Sequence, residues 1–91
     1  MASQDFQSMI VGRWTNGIVI MEFFKDGTLT VSRTNQAAGL THFYRFLDDD
    51  IVEMGDPRYP ISWQSYKVRV DRDSLTLTQQ RVGISIDYSR A

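Results

Sequence analysis

The chain has 91 residues, the size of one ordinary domain, so we predict a single domain over residues 1–91. Its 10 basic and 11 acidic side chains nearly balance, which argues against a bulk attraction to phosphate polymers. The sequence has no cysteine, which excludes disulfides, thiol catalysis and zinc–thiolate sites and suits a reducing compartment.

The N-terminal residues from Ser3 to Val11 predict one or two turns of helix, because apolar residues recur there at spacings of three and four. Either Ser3 or Asp5 is suitable as the N-cap, since both side chains can accept a hydrogen bond from a free backbone N–H. Gly12 is expected to end the helix, because glycine adopts left-handed backbone conformations without steric cost.

The rest of the chain predicts an all-β fold. From Trp14 onward the hydrophobic period changes to two, and β-branched and aromatic residues become frequent. Turn residues divide this region into strands over 18–25, 28–33, 40–47, 51–54, 62–71, 74–81 and 83–88. Residues 55–60 contain both prolines and are expected to interrupt the sheet. We therefore predict a small up-and-down antiparallel barrel or curved meander of about seven strands with a short N-terminal helix.

The tripeptide Gly-Arg-Trp that begins at Gly12, together with residues 21–28, resembles the opening of bacterial lipocalin-like domains of the calycin type. In that family the tryptophan closes the base of the barrel and packs against an arginine from near its end. The resemblance therefore implies that Gly12 and Trp14 close this barrel, with Arg81 or Arg90 supplying the guanidinium. Lipocalins are far longer, so a large ligand cavity is not expected here.

A group of apolar and aromatic residues on the inward phases of the predicted strands offers a lining for a small ligand. These residues are Met21, Phe23, Val31, Tyr44, Phe46 and Tyr66. The same side chains also suit a filled core, which we favour because an empty apolar void forfeits dispersion contacts. A barrel of about seven or eight short strands holds one small ligand at most. The predicted function is thus non-catalytic binding, of a small apolar molecule or of a protein partner.

Catalysis and metal binding have weak support in the sequence. His42 is the only histidine, and nothing in the sequence places a carboxylate to orient it as a general base. The acidic run from Asp48 to Asp50 offers oxygen ligands, but its spacing is wrong for a calcium loop and a solvated turn explains it. We expect no enzyme activity, no cofactor and no metal.

A homo-oligomer is a further expectation, because the predicted barrel carries apolar residues on outward phases. They are Ile18, Ile20 and Phe24 in the predicted strand over 18–25, and Val82, Ile84 and Ile86 near the C-terminus. A strand that is apolar on both faces needs cover from the N-terminal helix or from a neighbouring subunit. A homo-oligomeric interaction module is therefore an alternative function.

A single-stranded nucleic-acid-binding barrel is the third alternative. Several strand arginines and lysines are interleaved with Phe24, Phe43 and Trp63, a combination that could stack bases. The balanced charge argues against it, because outward basic residues on strands usually serve solubility and edge protection.

The sequence also predicts the compartment. Its longest apolar stretch, residues 18–24, is too short to cross a bilayer, and no charged segment followed by an apolar run opens the chain. We therefore expect neither a membrane span nor a signal peptide, and a cytoplasmic location.

Overall fold

A computed structural model of the chain describes residues 5–35 and 39–91, without the side chain of Pro60. In these residues one helix, α1, spans Phe6–Met9. The strands are β1 Gly12–Thr15, β2 Val19–Phe23, β3 Thr28–Arg33, β4 Leu40–Asp48, β5 Ile51–Asp56, β6 Tyr59–Val70, β7 Ser74–Gln79 and β8 Ser85–Arg90. Each strand pairs antiparallel with the next, and β8 pairs with β1 to close the barrel. The predicted all-β fold with a short N-terminal helix is confirmed.

The barrel has eight strands where the sequence predicted about seven. The additional strand is β1, whose residues Gly12–Thr15 pair with β2 along their whole length. Its pairing with β8 joins Trp14 to Arg90 and Thr15 to Ser89. Four residues are too few to display a period of two, so this strand is recognisable only through its partners.

Residues 55–60, which were expected to interrupt the sheet, instead continue it. β5 extends to Asp56, β6 begins at Tyr59, and these two residues pair across a turn formed by Pro57 and Arg58. The Asp56 carboxylate accepts hydrogen bonds from the backbone N–H of Arg58 at 2.9 Å and from its guanidinium at 2.8 Å. Pro57 has no backbone N–H to donate, and the Asp56 carboxylate stabilises the tight turn by binding Arg58 instead.

The helix is shorter than the predicted span. Asp5 is its N-cap, and the carboxylate accepts a hydrogen bond from the Ser8 N–H at 3.2 Å. Ser3, the other candidate cap, lies outside the described residues. Phe6 and Ile10 are buried, and the helix packs mainly against β6 rather than over the outer face of β2. The expected cover of β2 by this helix is therefore not found.

In an up-and-down barrel, alternate connections lie at the same end. The β2–β3, β4–β5 and β6–β7 turns share one end with α1, which we call the closed end. The β1–β2, β3–β4, β5–β6 and β7–β8 connections share the other end, which we call the mouth. In the described part of the chain, no helix is long and apolar enough to cross a membrane.

Buried side chains fill the part of the interior that is nearest the closed end. Its largest fully buried side chains are Trp14, Phe23, Ile10, Leu29, Leu75, Val52 and Val68. Phe23 and Tyr44 meet edge to face, with ring centroids 5.0 Å apart, and the Tyr44 hydroxyl donates a hydrogen bond to the Phe24 carbonyl at 2.5 Å. Within the described residues, no polar or charged residue is fully buried. The core is thus apolar, with aromatic packing concentrated away from the mouth.

Candidate ligand-binding site

The closed end is sealed by Trp14 and Arg90. The Trp14 ring is fully buried, and its indole N–H donates to the Ile10 carbonyl at 2.8 Å. The Arg90 guanidinium carbon lies 3.9 Å from the ring centroid, within the range of a cation–π interaction. Of the two arginines expected as alternatives for this contact, Arg90 makes it, whereas Arg81 lies at the mouth between β7 and β8.

Arg90 also ties three chain segments together at this end. Its guanidinium donates to the carbonyls of Met9 at 3.0 Å, Val11 at 3.1 Å and Arg72 at 3.1 Å. Gly12 allows this approach, because a Cβ there would meet the guanidinium at 2.5 Å and the backbone φ is +132°. The carbonyl groups of Met9 and Val11, at the C-terminal end of the helix, are thereby hydrogen-bonded.

The mouth leads into a cavity of about 300 Å³ inside the barrel. It is lined by Val19, Met21, Leu29, Val31, His42, Met54, Gly55, Ser62, Tyr66 and Tyr88. Most of this lining is apolar or aromatic, with His42, Ser62 and the tyrosines as its polar members. Small-molecule sites in proteins commonly combine such a lining with a few polar groups, in volumes from about 300 Å³ upward.

His42 is the chemically distinctive residue of the cavity. Its strand position is opposite Leu29 on β3, and its ring lines the cavity wall. In the part of the chain that the structure describes, its Nδ1 is the one side-chain polar atom that is buried without a hydrogen-bond partner. A buried polar atom without a partner is costly, because it has lost water and gained nothing in exchange. A ligand with a polar group would satisfy it.

Two tyrosines form the deeper wall of the cavity. Burial raises the pKa of the Tyr66 hydroxyl, and it raises that of Tyr88 with a further contribution from the nearby Tyr66. Both hydroxyls are therefore neutral at physiological pH, where each can donate and accept hydrogen bonds. Beside them, the Gln79 amide donates to the Gln64 carbonyl oxygen at 3.1 Å across the β6–β7 pair.

The six residues expected to contact a ligand divide into two groups. Met21, Val31 and Tyr66 line the cavity. Phe23, Tyr44 and Phe46 do not, because they form an aromatic cluster in the core, with the rings of Tyr44 and Phe46 6.5 Å apart. The structure thus places both a filled core and a cavity in the barrel, at different depths.

Sequence reasoning missed His42, Met54 and Tyr88 as lining residues. His42 shares the strand phase of Tyr44 and Phe46, which was the signal that it faces inward. The sequence interpretation weighed His42 as a general base against an ordinary surface or half-buried polar residue, and not as part of a cavity lining. The structure brings no cluster of three or more acidic residues or histidines together in a form that could hold a metal ion within the described residues.

Three of the basic and aromatic residues of the outer wall, Arg13, Arg45 and Trp63, contact neighbouring side chains, whereas Phe24 and Phe43 are exposed. Arg45 binds Glu53 at 2.8 Å and lies over the Trp63 ring, 5.4 Å from its centroid. Arg13 lies 4.0 Å from Glu22. These contacts occupy groups that a base-stacking surface would need to present to a nucleic acid.

A larger depression, of about 530 Å³, lies on the outside of the barrel. Its walls include Lys67 and Arg69 on β6 and Thr76 and Thr78 on β7, paired across the strands on their outward face. Its lining combines these side chains with the apolar residues Phe6, Val68 and Val70, and none of its described side chains has a buried polar atom without a hydrogen-bond partner. The cavity at the mouth is therefore the better candidate site.

Comparison of the chain with protein-family models finds no model that matches. Comparison with curated proteins also finds no match. The case for a function consequently rests on the geometry of the barrel and the chemistry of its mouth.

Proposed function

We propose that this barrel is a non-catalytic binding protein that holds one small, mainly apolar ligand in the cavity at its mouth. The observation that carries the proposal is the 300 Å³ cavity in which the His42 Nδ1 is buried without a partner. The resemblance of the Gly12–Trp14 region to lipocalin-like domains supports the same function, although a shared architecture alone does not establish one.

His42, the lining residue whose Nδ1 has no hydrogen-bond partner, defines the chemistry of the ligand further. A neutral histidine carries one ring nitrogen as donor and the other as acceptor, so a hydroxyl group satisfies Nδ1 in either tautomer. Met21, Val31 and Met54 in the same lining offer only dispersion contacts and burial of apolar surface. The proposed ligand therefore has an apolar body and one hydrogen-bonding group.

The first experiment compares α-naphthol with naphthalene as probes of the purified protein. Both have the same apolar body, and only α-naphthol carries a hydroxyl group. We expect α-naphthol to bind at one site and more tightly than naphthalene by about 2- to 10-fold, the value of one net hydrogen bond. Titration calorimetry measures both affinities. Equal affinities for the two probes would contradict the role of His42.

Two variants locate the binding site. Val31→Phe fills the cavity and should abolish binding of both probes, whereas Thr30→Phe, one position along β3 on the opposite face, should leave it unchanged. His42→Phe keeps an aromatic ring, of somewhat larger volume, but removes the nitrogens, so it should remove the preference for α-naphthol. If Val31→Phe binds both probes as the parent does, the cavity is not the site.

A further inference from the structure

The mouth is surrounded by exposed apolar side chains. Of the ten exposed large hydrophobic residues in the described ranges, six lie on the connections at this end or directly beside them. We call these six the mouth rim; they are Ile18, Leu40, Tyr59, Ile61, Val82 and Ile84. Ile61 is 92% exposed and Leu40 is 72% exposed, so most of each residue's surface faces solvent.

The arrangement of the rim is as informative as its composition. Each of the four mouth connections contributes at least one of these residues, so the apolar groups encircle the opening instead of forming a patch on one wall. A ring of separate apolar tips around an opening fits a flat, deformable surface better than it fits a compact protein epitope. The rim also includes Tyr59, a residue type enriched at membrane–water interfaces.

The charges of the barrel are distributed along the same axis. Three arginines, Arg33, Arg58 and Arg81, lie on or beside the mouth connections, and the Asp56 carboxylate beside them pairs with Arg58 at 2.8 Å. The three closed-end turns, residues 24–27, 49–50 and 71–73, hold five aspartates against one lysine and one arginine. The molecule is therefore positive at its apolar end and negative at the sealed one, and an anionic surface would turn the mouth toward itself.

We propose that the mouth rim docks the barrel on an anionic phospholipid surface. Its apolar tips enter the boundary between headgroups and acyl chains, and its arginines lie among the lipid phosphates. A second copy seated mouth to mouth fits less well, because it would bring the arginines of both copies together in a dehydrated interface. Docking does not require an occupied cavity, so it stands apart from ligand binding.

The experiment measures flotation of the full chain with vesicles of phosphatidylcholine, with and without phosphatidylglycerol. We expect binding only when phosphatidylglycerol is present, and weaker binding as salt is raised. Ile61→Asp should reduce the bound fraction several-fold, whereas Leu47→Asp adds the same charge at an exposed residue toward the closed end and should have little effect. Arg81→Gln should weaken binding more than Arg72→Gln does.

Three results would overturn the proposal. The first is the same weak flotation with and without phosphatidylglycerol. The second is an equal loss for Ile61→Asp and Leu47→Asp, which would show that the mouth has no special part. The third is a parent dimer in native mass spectrometry that Ile61→Asp dissociates, which would assign the rim to a second copy. Because Val31→Phe lies inside the cavity, it should float as the parent does even when it no longer binds α-naphthol.

Discussion

The two ends of this barrel are built in opposite ways. At the closed end, Trp14 and Arg90 satisfy the carbonyls of Met9, Ile10 and Val11, and the indole is fully buried. At the mouth, apolar residues are exposed and the Nδ1 of His42 is buried without a partner. The contrast suggests that the closed end supplies stability and that the mouth retains unsatisfied groups that a ligand or a surface can use.

The largest expected effect comes from Trp14→Ala, which removes the centre of the closed end. Truncation of a buried tryptophan costs about 3–5 kcal/mol, a large share of the 5–15 kcal/mol typical of a domain. Urea unfolding followed by circular dichroism measures the loss. Trp63→Ala is the matched control, since Trp63 is only half-buried on the outer wall, and it should cost clearly less. Equal losses of unfolding free energy in the two variants would contradict a larger contribution of the closed end to stability.

A smaller effect is expected from Arg90→Met, which keeps an apolar stem of similar shape but removes the guanidinium. Three backbone carbonyls then lose their donor, so we expect a loss of about 1–3 kcal/mol in the free energy of unfolding. Arg81→Met makes the same change at the mouth and should stay within about 0.5 kcal/mol of the parent. A comparable loss in both variants would contradict the proposed division between the ends.

Tyr44→Phe tests one hydrogen bond near the closed end. The Tyr44 hydroxyl donates to the Phe24 carbonyl, and its removal should cost about 1 kcal/mol. Tyr66→Phe is the control, because the described residues offer its hydroxyl no hydrogen bond, and its stability should match that of the parent. The midpoint of urea unfolding compares the two variants. A loss of stability in Tyr66→Phe alone would contradict the assignment of the stabilising hydrogen bond to Tyr44.

The smallest effect concerns alkaline pH. Burial raises the pKa of Tyr44, Tyr66 and Tyr88 in the folded chain. A raised pKa contributes stability that is fully present below the unfolded value of about 10 and is lost as the pH rises from there through the folded pKa. Unfolding free energies between neutral and alkaline pH should therefore fall above about pH 10. Tyr66→Phe should make that fall shallower, and an unchanged slope would contradict the contribution of Tyr66.

The candidate site was only partly predictable. Met21 and Val31 were found as inward residues because strand alternation separates the two faces of a sheet. Alternation gives no depth along the barrel axis, however. It therefore grouped Phe23, which packs in the core, with Val31, which lines the cavity. His42 was visible in the same phase, but its lack of a hydrogen-bond partner depends on neighbours that are distant in the chain.

The class of fold and most of the turns could be predicted from the sequence, because both depend on contacts between residues close in the chain. The Asp26 carboxylate accepts from the Thr28 N–H at 3.0 Å, and that of Asp71 accepts from the Ser74 N–H at 2.9 Å. Such contacts form within a few residues, so the choice of aspartate at each turn already encodes them.

The closure of the barrel, the choice of Arg90 over Arg81 and the position of the cavity depend on contacts between residues that are distant in the chain. β1 meets β8 through Trp14 and Arg90, residues at opposite ends of the chain. This pairing depends on the register of every strand between them, which local propensity does not specify. The apolar mouth rim follows from the same cause, because its residues come together only when alternate turns are brought to one end.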